Sequence, residues 1–261
     1  MRLPRFAAAV VAAPLVVSAL FAAALLSSGA PAAAQETATY RTLMVQAAPG
    51  ELLPLIELLK EERAFLAVLG EEPPLWMRHT QGDFWDLFLL YPMEGMGPYY
   101  APERLARIAQ ARTPSGRTGA ELAREIDARI AWREDLFVHG PPHAEVKATW
   151  ADAGFYHVEM YQGLAGKREE LVKERHMENA YATALGRQAT KVFTRIAGGS
   201  ADGYTVGFYK DLRAYANQPE TTREQQEKAA KGAGFRGADF IGPTLRTFIL
   251  RHWDTMGVAI R

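Results

Sequence analysis

Between residues 40 and 91 the spacing of apolar positions changes twice. Residues 40–47 are rich in aromatic, β-branched and methionine side chains with partial alternation, which predicts a strand. After Pro49-Gly50 the apolar positions take helical spacing at Leu55, Leu58, Leu59, Leu66 and Leu69, and Gly70 stands where a helix end favours glycine. Residues 75–80 and 85–91 then read as two strands joined across Gly82-Asp83. The same succession returns later: a strand at 155–162, a turn at Ala165-Gly166, a helix running to Leu185 and stopped by Gly186, and strands at 191–197 and 204–209 joined across Gly198-Gly199.

The recurrence is a sequence repeat. Residues 40–82 fall on 156–198 without a gap, and ten of the 43 aligned pairs are identical, including Tyr40/Tyr156, Glu62/Glu178, Gly70/Gly186 and Gly82/Gly198. A period this long means two copies of one small domain, since unrelated segments would share roughly two or three identities. The second halves of the copies are less alike. Copy one continues with helical patterns at 102–112 and 118–134, broken by Thr113-Pro114-Ser115-Gly116, and a short strand at 136–139. Copy two continues with a very polar helix at 219–231 and a last strand at 247–253. The order is β-α-β-β-α-β twice, an α+β chain of two tandem ferredoxin-like units. They are expected at 35–140 and 154–261, with residues 141–153, opening on Pro141-Pro142 and lacking periodicity, as a linker.

The first 34 residues change the picture of where the chain works. Arg2 and Arg5 precede an almost wholly apolar run, and Ala32-Ala33-Ala34 precedes Gln35, the pattern of a secretory signal peptide cleaved after Ala34. The run is about 20 residues, so an uncleaved anchor is the alternative. A periplasmic or secreted protein is therefore expected. Cleavage leaves 28 basic against 30 acidic side chains. A near-neutral surface gives no electrostatic reason to expect nucleic acid or an anionic membrane as partner. The chain has no cysteine, which excludes disulfides, a thiolate nucleophile and a thiolate metal site.

The candidate chemistry lies on the repeated helix. At 100° per residue Glu62 falls inside the leucine stripe of copy one, and Glu178 falls inside the matching stripe of Leu171, Ala182 and Leu185. A carboxylate facing its own sheet needs a cation, hydrogen-bond donors or water, or else keeps its proton. The repeat offers partners: Arg41 aligns with His157, and His79 with Arg195. Each copy thus has one Glu, one Arg and one His at equivalent places. The structural reading is a polar network fastening helix to sheet. The functional reading is a pocket in which Glu and His exchange protons and Arg holds an anionic group. It favours copy two, where Glu159 and Tyr161 share a strand face with His157, giving Glu178, His157, Arg195 and Tyr161 as candidate catalytic residues and Glu62, Arg41 and His79 as their first-unit equivalents. The six histidines show no spacing typical of a metal site, and no metal is expected.

The runs VEMYQGLAGKREEL (158–171) and YTVGFYKDL (204–212) resemble the dimeric α+β barrel superfamily, and within it NIPSNAP-like domains. Tyr161, Gly166, Lys167, Phe208, Tyr209, Asp211 and Leu212 stand at the positions that carry the likeness. Copy one departs, with Val45 for the tyrosine and Glu51 for the lysine. The resemblance implies that two such units pair their sheets into a barrel, here within one chain, with further homo-oligomerisation as an addition. The superfamily holds cofactor-independent monooxygenases, haem-degrading enzymes and members of unknown role, so fold does not choose a chemistry. The expectation is an exported small-molecule pocket protein, a cofactor-independent oxygenase or isomerase. A non-enzymatic binding or assembly module with structural carboxylates is the competing class, and a haem-binding protein a third.

Overall fold

The computed structural model describes residues 37–260. The expected signal peptide, 1–34, lies outside the described residues. Eight strands run β1 (Ala38–Ala47), β2 (Leu75–Gln81), β3 (Leu87–Met93), β4 (Ile130–Gly140), β5 (Phe155–Gly163), β6 (Lys191–Gly198), β7 (Gly203–Tyr209) and β8 (Ile249–Ala259). The helices are α1 (Leu52–Val68), α2 (Met96–Tyr99), α3 (Pro102–Gln110), α4 (Gly119–Asp127), α5 (His143–Ala151), α6 (Arg168–Ala184), α7 (Leu212–Ala216), α8 (Arg223–Gly232) and α9 (Ile241–Arg246).

All strand pairings are antiparallel, and the sheet closes into a barrel in the order β1-β3-β2-β8-β5-β7-β6-β4. Each unit contributes four strands in the ferredoxin-like order, β4-β1-β3-β2 and β8-β5-β7-β6, and the units join edge to edge through β2·β8 and β4·β6. Closure removes the four exposed edges that two separate sheets would carry. The repeated hairpin glycines sit at these joins. Gly82 takes φ +117° with the Asp254 carbonyl against it, and Gly198 takes φ +75° with the Asp135 carbonyl against it. A Cβ at either place would collide with the other unit's backbone, so this glycine serves the assembly as well as the positive-φ turn.

Alternation along the strands separates two surfaces. Tyr40, Met44, Phe88, Tyr156, Val158, Met160, Tyr204 and Val206 point into the barrel and pack as one buried cluster. Across it the Thr42 and Tyr204 hydroxyls meet at 2.6 Å. The intervening residues point outward. In the first unit Leu43, Val45, Leu87 and Leu89 pack under the leucine stripe of α1 and under α4. In the second unit the corresponding apolar cluster is small: Tyr161, Leu171, Leu245 and Ile249.

Two expectations are corrected. The helical pattern at 118–134 ends at Asp127, and β4 starts at Ile130 and runs eleven residues. Strand β1 needs a partner along its whole length, and that pairing from Ala38↔Gly140 to Ala47↔Ile130 overrides the helix-tolerant sequence Arg133-Glu134-Asp135. The segment 141–153, read as a linker, carries α5, with Pro142 in an extended conformation at its N-cap. Val146 and Trp150 are buried with the barrel residues, and Trp150 Nε1 donates to the Trp76 carbonyl at 3.2 Å. Two buried side chains four residues apart are one helical face, too short a period to stand out in the sequence.

Candidate functional site

The two equivalent helix-to-sheet spaces have diverged. In the first unit a cavity of about 790 Å³ opens between the C-terminal half of α1, the start of β1, the end of β3, α2–α3 and the start of α5. Its floor is the constellation around Glu62. Tyr91 Oη on β3 donates to Glu62 Oε2 at 3.3 Å. The Arg41 guanidinium lies over the Tyr91 ring at 5.2 Å and donates from Nε to Asp135 Oδ1 at 2.5 Å. Burial pushes the Glu62 carboxyl above its ordinary range, although Tyr91 and Arg41 oppose the shift. Burial first, then Glu62, raises the Tyr91 hydroxyl well above its own. Leu66, Leu75, Leu105 and Ile108 give the cavity apolar walls, and Tyr99, Tyr100 and Glu94 stand toward its mouth.

His79 does not join this group. It shares the barrel-facing side of β2 with Met77, its ring lies edge-on to Trp85 at 5.6 Å, and its Nε2 is buried without a partner. The sheet separates it from Glu62, so one Glu, one Arg and no His meet in the first unit. The strand positions had suggested a trio because a bulge beyond His79 and the parity of β2 were not legible from spacing.

In the second unit the same place is lined differently. Tyr91 is replaced by Gly207, and the Tyr209 ring folds over that glycine, with Tyr215 and Phe155 packed beside it. Glu178 is one-third exposed and bonds Arg175 Nη2 at 2.8 Å. His157 Nε2 bonds Asp254 Oδ1 at 3.0 Å. Tyr161 is fully buried with its hydroxyl unpartnered, its ionisation suppressed chiefly by that burial. Arg195 pairs with Asp202, whose other oxygen accepts from the Gly163 amide at 2.9 Å. Asp86 accepts from the Ala47 amide at the equivalent place in the first unit. Arg195 shares the barrel-facing side of β6 with Phe193, whereas Glu178 and Tyr161 lie on the outer face. The four second-unit candidates are therefore not brought to one point.

What the second unit holds instead is a charged knot that centres on Arg175. This guanidinium donates to Glu159 at 2.8 Å, to Glu174 at 2.6 Å and 2.8 Å, and lies 2.8 Å from Glu178. Glu174 and Arg175 are almost completely buried. One cation cannot balance the three carboxylates gathered round it, and buried Glu174 is pushed up to about 7, burial being the largest cause. The first unit has Leu43, Leu58 and Leu59 at the places of Glu159, Glu174 and Arg175. The signal was present in the sequence: residues 171, 174, 175, 178, 182 and 185 repeat the spacing of 55, 58, 59, 62, 66 and 69.

Among the described residues no group of three or more histidine, aspartate or glutamate side chains is placed to hold a metal ion. The histidine on the cavity wall, His143, has Nε2 bonded to the Thr39 carbonyl at 3.0 Å, so that nitrogen is not free to ligate a haem iron. Among the described residues no helix is long and apolar enough to cross a membrane.

No family model matches the chain, and no curated protein matches it by sequence. Among solved structures it is similar to an anthrone oxidase-like protein, with a TM-score of 0.53 at 10% identity, covering 86% of this chain and 92% of that one. It also overlaps a protein provisionally assigned as a monooxygenase from Lactobacillus acidophilus, at a TM-score of 0.49 and 11% identity over 85% and 94% of the two chains. A haem-binding protein from Thermus thermophilus matches at 0.41 and 12% over 87% and 94%. The fold is that of the dimeric α+β barrels, closed here within one polypeptide.

Proposed function

We propose that the chain is an exported small-molecule protein whose working site is the first-unit cavity, with Glu62 as the group that exchanges a proton with the ligand. One observation carries this reading: a carboxyl of raised pKa, held by a tyrosine hydroxyl, faces a half-open cavity of ligand size rather than a packed core. A carboxyl poised nearer neutral pH both accepts and returns a proton readily, as general acid–base chemistry requires. Tyr91 orients Glu62. Arg41, neutralised by Asp135, positions the Tyr91 ring rather than anchoring an anion. Such a site suits a cofactor-independent oxygenase or isomerase, and other proteins on this fold carry oxygenase names; their likeness supports the fold, so the chemistry rests on the cavity. Closer kinship with NIPSNAP-like domains rests on residues 158–171 and 204–212.

The test is a pair of mass spectra, native and denaturing, of the protein purified from its own envelope fraction. A mass held natively and released on denaturation identifies the ligand. Leu105→Trp, a change on the cavity side of α3 at a position 43% exposed, is expected to abolish that mass and leave the fold intact. Retention of the ligand in the tryptophan variant would place it elsewhere.

A further inference from the structure

We infer that the first-unit cavity is built for a ligand carrying a protonated nitrogen on an aromatic body, with that nitrogen directed at Glu62. This rests on the cavity being the working site and adds the charge of what it takes. Every cation on the cavity wall is already paired. Arg41 lies 2.5 Å from Asp135, Arg104 lies 2.8 Å from Glu71, and Lys147 lies 2.6 Å from Glu72. An anionic ligand would compete with Asp135, Glu71 and Glu72 for these cations.

The carboxylates are in surplus. Glu62 accepts one long bond from a neutral hydroxyl, and Glu94, exposed at the rim, has no ion-pair partner among the described residues. The aromatic walls already accommodate cations on their faces, Arg41 over Tyr91 and Arg104 over Tyr99 at 4.3 Å, because the ring quadrupole attracts positive charge. Tyr100 stands 42% exposed at the mouth and offers a further ring. The second unit has His157 and Gly207 where the first has Arg41 and Tyr91.

Proton accounting gives the inference a second handle. The groups facing Glu62 are Tyr91 from β3, Arg41 from β1 with its Asp135 on β4, and Asp127 at the end of α4. Burial disfavours the Glu62 carboxylate, whereas an ammonium group favours it. Binding therefore lowers the Glu62 pKa and, within its titration range, releases a proton to solvent, so affinity rises with pH there until the ligand's own nitrogen loses its proton.

Isothermal titration with three matched probes tests this: 1-naphthylmethylammonium, 1-naphthalenemethanol and 1-naphthoate. The ammonium probe is expected to bind about tenfold or more tighter than the other two at neutral pH. In Glu62→Gln that advantage should collapse while binding of the alcohol persists, which shows that the variant keeps the cavity. The heat for the ammonium probe should vary with the ionisation enthalpy of the buffer and report proton release. Naphthoate binding as tightly as the ammonium would overturn the charge assignment and leave the cavity reading standing. No binding of any of the three at millimolar concentration would overturn both.

Discussion

Tyr91 reaches across from the sheet to donate its hydroxyl hydrogen to Glu62 of α1 at 3.3 Å, and both side chains line the first-unit cavity. Its counterpart pair is Gly207 and Glu178, which share nothing. Because burial raises the folded carboxyl of Glu62 above its unfolded value, the folded state binds the proton more tightly. The contribution is fully present below about pH 4.3, the unfolded value, and is lost as pH rises through the folded one. Glu62→Gln should remove this slope and leave the protein as stable or more stable at pH 8. Urea midpoints measured from pH 4 to 9 check it, and a slope unchanged in the variant would refute it.

The knot around Arg175 predicts opposite outcomes for partial and complete replacement. Arg175→Met leaves Glu159 and Glu174 buried without their cation and should cost about 3–5 kcal/mol, the usual penalty for breaking a buried pair on one side. Replacing Glu159, Glu174 and Arg175 together by leucine copies what the first unit does with Leu43, Leu58 and Leu59, and should be neutral or stabilising. Glu174→Gln alone should stabilise above pH 7, where the carboxyl would otherwise ionise, and matter little at pH 5. Denaturant titrations of the three variants separate these cases, and equal losses in all would contradict the desolvation account.

Gly203 should resist enlargement. It pairs with Tyr161 across β5·β7, and a Cβ there would run into the Phe193 carbonyl oxygen and stand 3.1 Å from the Tyr161 ring and hydroxyl. The first unit solves the same place the other way, with Leu87 opposite Val45. Gly203→Ala is therefore expected to cost about 1–3 kcal/mol by overpacking. Tyr161→Val in the same chain should recover part of it, which a double-mutant cycle measures. Additive losses would mean that the clash with the backbone alone decides.

The proposed export predicts a defined start. The intact mass of the protein recovered from the envelope should correspond to a chain beginning at Gln35, and Ala34→Arg should block processing. A mature mass that retains Arg2 and Arg5 would instead establish an anchored form.

The sequence by itself determined the architecture. Ten identities across 43 aligned positions, two helix stripes and the repeated glycines specify two copies of one β-α-β-β unit, because local periodicity and turn chemistry act within a few residues and leave their mark there. It also marked Glu62 as a carboxyl on an apolar face. The tertiary structure alone decided how each copy's helix-to-sheet space is lined and which residues share it. Strand parity put His79 and Arg195 on the barrel side of the sheet, away from Glu62 and Glu178. The Tyr209 ring turns over Gly207 in the second unit, where the first has Met93 and Tyr91 against its cavity. The length of β4 and the helix at 143–151 were likewise set by what they pair with and cover. Which side chain fills a space depends on neighbours distant in the chain, and no local pattern records them.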